Sequence, residues 1–455
     1  MVANVAEADT SRGKITIATQ MSYGAGQIAG QILRDIPSLL LLFFMTNVLG
    51  ISAAIAGTAI FLPKLIVGAF GDVLVGIIAD RFKQRFSLYM WLLFGAVTAP
   101  ISLLLLFNVP NLGMDLQVAY IIVVLSLYML VFASFSVPYL AIAAVLSHDE
   151  HQRTVLMAWR LVFTAIGILI AGGLAPAFIA QNGGGAQAYS LMAVLLGVLC
   201  FISLMIAFWG SRAAMKRSSE TVADAVVTAI NLGEMLKAVR VPRFAVLVFA
   251  NILQLTGTGM SYAAMLYFLT YAMALDDPFA AIGIVILLTT IGIIAAQPFW
   301  VAIAKRTNKK FVYIVAALFH SGALMVLALT AQSYGMMAVY ICSFLIGVGN
   351  SGWVMIGFSM VADIAGEARA GLYSAVWIAA DKIGFALGGT LIAGNMLSAF
   401  GFDSTRAVAG LDQPDSALTG IVLVYAGVPA VLYIVGAAIL YFWWHAPRSE
   451  PAAAS

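Results

Sequence analysis

Apolar residues run along this chain in twelve long stretches, each broken by only a few polar positions. They cover roughly residues 21–47, 52–79, 87–107, 117–145, 156–180, 188–209, 243–272, 280–303, 311–330, 336–362, 370–400 and 418–443. A helix of about 20 apolar residues crosses the hydrocarbon core of a bilayer. The pattern therefore predicts a polytopic all-α membrane protein with twelve crossings. The composition agrees, with 63% hydrophobic and 9% charged residues.

Charge gives the chain an orientation. Of 23 Lys and Arg residues, 18 fall at the two ends of the chain or in alternate loops, including Arg81, Lys83, Arg85, Arg212, Lys305, Arg306, Lys309 and Lys310. The opposite loops hold only Arg406. The positive-inside rule then puts both termini in the cytoplasm. A net charge of +3 that resides in loops facing anionic lipid implies membrane lipid as a partner and no nucleic acid. Cys200 and Cys342 lie in apolar runs and point to neither a disulfide nor a metal site. The first 20 residues are polar, so the first span is expected to act as an uncleaved insertion signal.

The charged stretch 210–242 divides the chain into two halves. The expected organisation is a tail over 1–20, an N-terminal six-helix bundle over 21–209 and a central loop over 210–242. A second bundle over 243–443 and a tail over 444–455 complete it. Each half carries a basic cluster at a matching place. In the first, Gly76 and Asp80 precede Arg81, Lys83 and Arg85; in the second, Ala304 precedes Lys305, Arg306, Lys309 and Lys310. Repeated halves with a solute site at their interface form one transporter architecture. Asp80 and Arg81 are candidate gating residues, and Gly76 is expected to allow close helix approach.

Further segments narrow the family. Tyr23, Gly24 and Gly26 open the chain's first span, and Asp149, Arg153 and Arg160 introduce the fifth. Asp363, Gly371, Tyr373, Lys382, Gly384, Gly388 and Gly389 run from the tenth into the eleventh. Together they resemble the glycoside–pentoside–hexuronide:cation symporters of the major facilitator superfamily. The resemblance implies the major facilitator fold, two six-helix bundles and alternating access. It also implies that the second-span carboxylate falls on Asp72, the central lysine of span 11 on Lys382 and the span 5 arginine on Arg160. Other family positions differ. Gly68 stands where a second acid is frequent, Ser136 replaces a span 4 acid, Leu140 replaces an aromatic, and Gln31 takes the first-span acid position.

Charges inside spans are costly and mark substrate or ion pathways. Four basic residues, Arg34, Lys64, Arg160 and Lys382, and three acids, Asp35, Asp72 and Asp381, lie there. Asp72, Lys382 and Lys64 are the candidates for cation coupling. In a low-dielectric bundle the charged form of a carboxyl group is disfavoured, so such a group exchanges a proton as access alternates. Sodium needs several oxygen ligands, as other hard cations do, and Gly68, Ala133 and Ser136 offer few. Proton coupling is therefore expected over sodium. Lys382 is positioned to bridge to Asp72. Lys64, Gly68 and Asp72 share one helical face, and a pair of Lys64 with Asp35 is an equal alternative.

Gln31, Asp35, Arg34, Ser136, Trp353 and Tyr373 are the candidates for solute binding. Asp35 lies one turn beyond Gln31. Arg34 and Asp35, as neighbours in sequence, diverge around the helix and are not expected to pair. Arg160 is expected to gate by meeting an acid of another helix, and Asp363 at a helix end is a further gating candidate. No phosphate loop, zinc-binding HExxH or cofactor fingerprint occurs. The expected protein is not an enzyme and uses no cofactor or metal. It is an inner-membrane symporter of a sugar- or glycoside-like small solute, working as a monomer. The alternative is an exporter or flippase-like carrier of an amphiphilic, lysolipid- or drug-like molecule.

Overall fold

The computed structural model describes residues 16–82, 87–146, 150–217 and 232–444, and all regular structure among them is helical. The helices are α1 (Ile17–Asn47), α2 (Ala53–Phe82), α3 (Leu88–Phe107), α4 (Met114–Leu146) and α5 (Glu150–Leu169). They continue with α6 (Ala175–Gln181), α7 (Ala186–Arg217), α8 (Leu232–Val239), α9 (Pro242–Tyr267) and α10 (Pro278–Arg306). The remainder are α11 (Lys309–Ala386), α12 (Ala393–Ala399), α13 (Ser404–Val408), α14 (Asp415–Val422) and α15 (Val428–Trp443). π-Helical turns at Ile170–Leu174, Phe268–Ala272, Leu387–Ile392 and Leu423–Gly427 follow directly on α5, α9, α11 and α14.

The helix starts have local causes. Pro242 and Pro278 occupy first-turn positions, where the missing N–H costs nothing. Asp277 Oδ1 accepts from Ala280 N at 2.9 Å, and Asn308 Oδ1 accepts from Phe311 N at 2.7 Å. Both are N-caps of the expected kind.

Ten stretches among the described residues are long and apolar enough to cross a membrane, and Ala53–Gly68 is a shorter apolar helical stretch within α2. One of the ten, Lys309–Ala365, supplies two crossings, because α11 is a helical hairpin and not a rod. Gly335, with φ 60°, marks the first reversal. Across it, a Cβ on Gly349 would meet His320, and one on Gly352 would meet Ala316. A second reversal brings Trp377 against Phe358, their rings 5.8 Å apart. The twelve crossings expected from hydropathy are thereby accounted for. Leu161, Leu329 and Phe299, 68%, 77% and 55% exposed, lie on outward faces. A lipid-facing surface requires such residues.

The chain forms two compact units. One contains residues up to Pro37 together with Ile66–Ala229; the other contains Ser38–Leu65 together with residues from Ile230 onward. α1 and α2 are therefore each shared between units. Both carry an internal proline near the division, Pro37 and Pro63, and proline is a usual cause of helix kinks.

In the first unit, α1 is tied to α4 by a reciprocal clamp. Tyr23 OH donates to Tyr139 O at 3.1 Å, Tyr139 OH donates to Tyr23 O at 2.6 Å, and the rings stack 4.7 Å apart. Tyr128 OH adds a bond to Leu33 O at 2.6 Å. The expected close approach at Gly76 is not seen: among the described residues nothing stands within 4 Å of where its Cβ would be. Tight contacts of this unit are found instead at glycines such as Gly95, whose Cβ would strike Phe135, and Gly167, whose Cβ would strike Gln31.

In the second unit, Ser38–Leu65 is bound at the helix ends away from the basic loops. Thr46 and Tyr267 share a hydroxyl hydrogen bond of 2.6 Å, Tyr271 OH donates to Asn47 Oδ1, and Ser404 Oγ donates to Ile51 O at 2.9 Å. Phe43 packs edge-on against Tyr267 and Phe279. Gly57 lies directly on the Thr390 and Gly394 backbone, where any Cβ would overlap the Thr390 carbonyl.

Candidate functional site

Three of the predicted residues meet in the first unit. Gln31 and Asp35 are one helical turn apart on α1, so their side chains share a face. Gln31 Nε2 donates to Asp35 Oδ2 at 2.6 Å. Arg34 Nε donates to Asp35 Oδ1 at 3.1 Å in an ion pair. This corrects the expectation that adjacent residues cannot pair. An arginine side chain is long enough to curl around the helix, and Asp35 is held by Gln31 on its other oxygen. The Asp35 side chain is 8% exposed and that of Arg34 is 65% exposed. Both carboxylate oxygens of Asp35 are thus engaged within the protein.

Gln31 is 1% exposed and abuts α5 at Gly167. Replacing it with leucine leaves a buried carboxylate oxygen without its amide donor. Such a loss costs about 1–3 kcal/mol. Gln31→Leu is expected to lower the thermal midpoint of the purified protein, measured by intrinsic fluorescence. Gln31→Asn, with its amide one methylene short, is expected to fall in between.

Arg160 departs from its expected partner. Its Nε donates to the Gln27 amide oxygen at 2.8 Å, and its guanidinium carbon stands 5.9 Å from the Tyr139 ring centroid. Its other contact is Met157 Sδ, 3.9 Å from Nη1. Among the described residues Arg160 meets an amide and an aromatic face, not an acid. The physical reason is placement: the residues of α1 and α4 that flank it are Gln27 and the clamped Tyr139.

Asp72 is half-buried on α2. The glycines beside it border apolar groups. The Gly68 Cβ position is near Met129 Sδ, and that of Gly71 is near Val67, Ala133 and Leu130. Ser136 is half-buried and Arg81 exposed. The side chain of Asp80 lies outside the described residues.

In the second unit, Lys64 Nζ donates to Ser38 Oγ at 3.2 Å, so among the described residues its hydrogen-bond partner is a hydroxyl and not a carboxylate. Asp363 takes both its oxygens to Lys309 Nζ, at 2.6 and 2.8 Å, an ion pair at the basic-loop end. Asn251 Nδ2 donates to Asp381 Oδ1, while the neighbouring Lys382 is half-buried.

Trp353 and Tyr373 are 1% and 4% exposed, so both sit in packed core. Tyr373 packs edge-on against Phe244, 4.6 Å between centroids. Trp353 belongs to a polar aromatic cluster that the sequence pattern does not reveal. Tyr313 OH donates to Gln254 Oε1 at 2.5 Å, Tyr433 shares a 2.7 Å hydrogen bond with Thr258, and His320 stacks on Tyr433 at 4.1 Å. The Trp353 ring lies 5.7 Å from Tyr433 and 6.4 Å from Tyr313. Gln254 and Trp353 are recognisable as polar or aromatic residues in spans. Tyr313, His320 and Tyr433 carry no sequence signal beyond their residue type.

Known proteins of similar sequence and structure bear on this geometry. A family model described as MFS/sugar transport protein matches residues 22–444. The inner membrane symporter YicJ of Escherichia coli (strain K12) is 26% identical, over 93% of this chain and 91% of that protein. The isoprimeverose transporter of Lactiplantibacillus pentosus is 27% identical, over 93% of this chain and 88% of its own length. In structure, the nucleoside transporter NupG (D323A mutant) superposes with a TM-score of 0.69 at 15% identity, covering 92% of this chain and 99% of that one. That last likeness concerns the fold alone. With twelve crossings, charges held inside the spans and a family match over nearly the whole chain, this protein is a membrane transporter, not an enzyme, and belongs to the MFS/sugar transport family.

Proposed function

We propose that the protein is a proton-coupled symporter of a sugar- or glycoside-like solute, working by alternating access in a cell inner membrane. The observation that carries this reading is the set of ionisable side chains at depth in apolar helices, above all the Gln31–Asp35–Arg34 group. At about 1.5 Å per residue, Asp35 and Lys382 stand well inside their helices. Ionisable groups at that depth are functional by default. The relatives that are named symporters or an isoprimeverose transporter support the solute class.

Asp72 is the proposed proton-exchanging group, with Lys382 and Lys64 as further cation-coupling residues. Proton is preferred to sodium because a hard cation needs several oxygen ligands, and the sequence puts Gly68, Ala133 and Ser136 at the positions where such ligands are expected. Asp363 and Lys309 are the proposed cytoplasmic gating pair, with Asp80 and Arg81 at the equivalent place in the first half. Both termini are assigned to the cytoplasm, with the working unit a monomer.

The test is uptake by proteoliposomes given isoprimeverose, methyl glycosides and nucleosides, under a pH gradient, a sodium gradient or neither. Accumulation of a sugar above its outside concentration only under the pH gradient supports the reading. Accumulation driven only by sodium overturns the coupling ion, and uptake of nucleosides alone overturns the solute class.

A further inference from the structure

We propose that the second unit holds internal water at a site formed by Gln254, His320 and Trp353. The site stands apart from the transport reading, since it involves neither the solute nor the coupling ion.

The first ground is a set of buried polar atoms. Gln254, His320 and Trp353 are 0%, 4% and 1% exposed. Gln254 Nε2, His320 Nδ1 and Trp353 Nε1 meet no hydrogen-bond partner among the described residues. A buried donor or acceptor left unpaired is destabilising. Folded proteins pair most such groups with protein or with ordered water. The hydroxyls of the same cluster are already satisfied. Tyr313 OH donates to Gln254 Oε1, and Tyr433 shares its hydrogen bond with Thr258. Those contacts engage the Gln254 carbonyl oxygen and leave its amide N–H groups in need of an acceptor.

The second ground is proximity. His320 stacks on the Tyr433 ring at 4.1 Å, and the Trp353 ring lies 5.7 Å from it. A Cβ on Gly436, one turn further along α15, would come within 3.4 Å of Gln254 Nε2. The three side chains come from α9 and the two arms of α11, and they border the same turn of α15.

The third ground is chemistry. From these nitrogens the Gln254 amide and the Trp353 indole only donate, whereas a neutral imidazole has one nitrogen that donates and one that accepts. The occupant must accept from two groups and hydrogen-bond a third. Water does both, and a buried water makes about three hydrogen bonds. Size agrees. The Cβ position of Gly257 is already 3.2 Å from Pro429 Cα, and that of Gly436 is 3.2 Å from Ala250 O. Packing this close suits water and not a sugar ring.

Trp300 supplies an internal control for the test. It is 2% exposed, but its Nε1 donates to Val348 O at 2.8 Å. X-ray radiolysis of the full-length purified protein makes hydroxyl radicals from water, so a buried ring is oxidised where water lies against it. Peptide mass spectrometry gives the oxidation rate at each tryptophan. Trp353 is expected to oxidise several-fold faster than Trp300. Oxidation of Trp353 no faster than that of Trp300 overturns the proposal. His320→Phe keeps a ring to stack on Tyr433 and removes Nδ1, and Gln254→Leu removes the amide donors. In whichever of the two folds, the Trp353 rate is expected to fall several-fold toward that of Trp300. An unchanged rate there means that bulk solvent reaches the ring, and this too overturns the proposal. If neither variant folds, the ratio of the two rates in the parent protein decides. Uptake by the parent is a separate measurement, so loss of this site leaves the symport reading standing.

Discussion

Proteoliposomes carrying Asp72→Asn are expected to hold no solute above the outside concentration when a pH gradient is imposed, while solute-for-solute exchange continues. Asparagine preserves the size of the side chain and its capacity to accept a hydrogen bond. It removes the carboxyl group proposed to exchange the proton. The Cβ positions of Gly68 and Gly71, on the same helix as Asp72, border Met129, Leu130 and Ala133. Uncoupled exchange needs the solute site and the conformational change, both of which remain. The checking measurements are accumulation and counterflow of the same labelled solute. Full gradient-driven accumulation by a correctly folded Asp72→Asn protein would remove Asp72 from the coupling mechanism.

Gly57→Leu is expected to detach Ser38–Leu65 from the rest of its unit. At this point the α2 backbone rests on the Thr390 carbonyl and the Gly394 Cα. The opposing atoms are backbone, which cannot swing aside as a flexible side chain does. Overpacking of a well-filled interior costs about 1–3 kcal/mol, and contact with main chain puts this substitution at the upper end. The hydrogen bonds from Ser404 to Ile51 O and between Thr46 and Tyr267 would be lost with the docking. Ser404, 5% exposed, gives the measurement. A cysteine placed there is expected to react slowly with maleimide in the parent and quickly beside Gly57→Leu. Cys200 and Cys342 are buried, which keeps the background low. Equal rates in the two proteins would show that the segment tolerates the larger residue.

The crossings were readable because lipid imposes a length and a polarity on each one, and the basic loops punctuate them. Gly335 illustrates the limit of that reading. Hydropathy separates residues 311–330 from 336–362, whereas the helical backbone passes through the turn with only one residue at positive φ. The charged positions were also readable, since each is an exception in an apolar run. Their partners were not. Arg34 and Asp35 diverge by about 100° on a helical wheel, and that wheel ignores the reach of a guanidinium. Arg160 was expected to find an acid because acids are what arginines usually find, and Gln27 is 133 positions away. The cluster of Gln254, Tyr313, His320, Trp353 and Tyr433 draws on α9, two arms of α11 and α15. Assembly of that kind is a property of packing, which leaves no periodic trace. The same holds for Ser38–Leu65, whose membership of the second unit depends on contacts made hundreds of positions later.

The crossed tyrosine clamp ties α1 to α4 near Tyr23 and Tyr139 by two hydrogen bonds and a ring stack. Met21 and Leu140, 40% and 46% exposed, flank it on accessible faces. Spin labels attached at these two places are expected to serve as an internal ruler, their separation constant through the proposed transport cycle, so that pulsed electron resonance gains a built-in calibration.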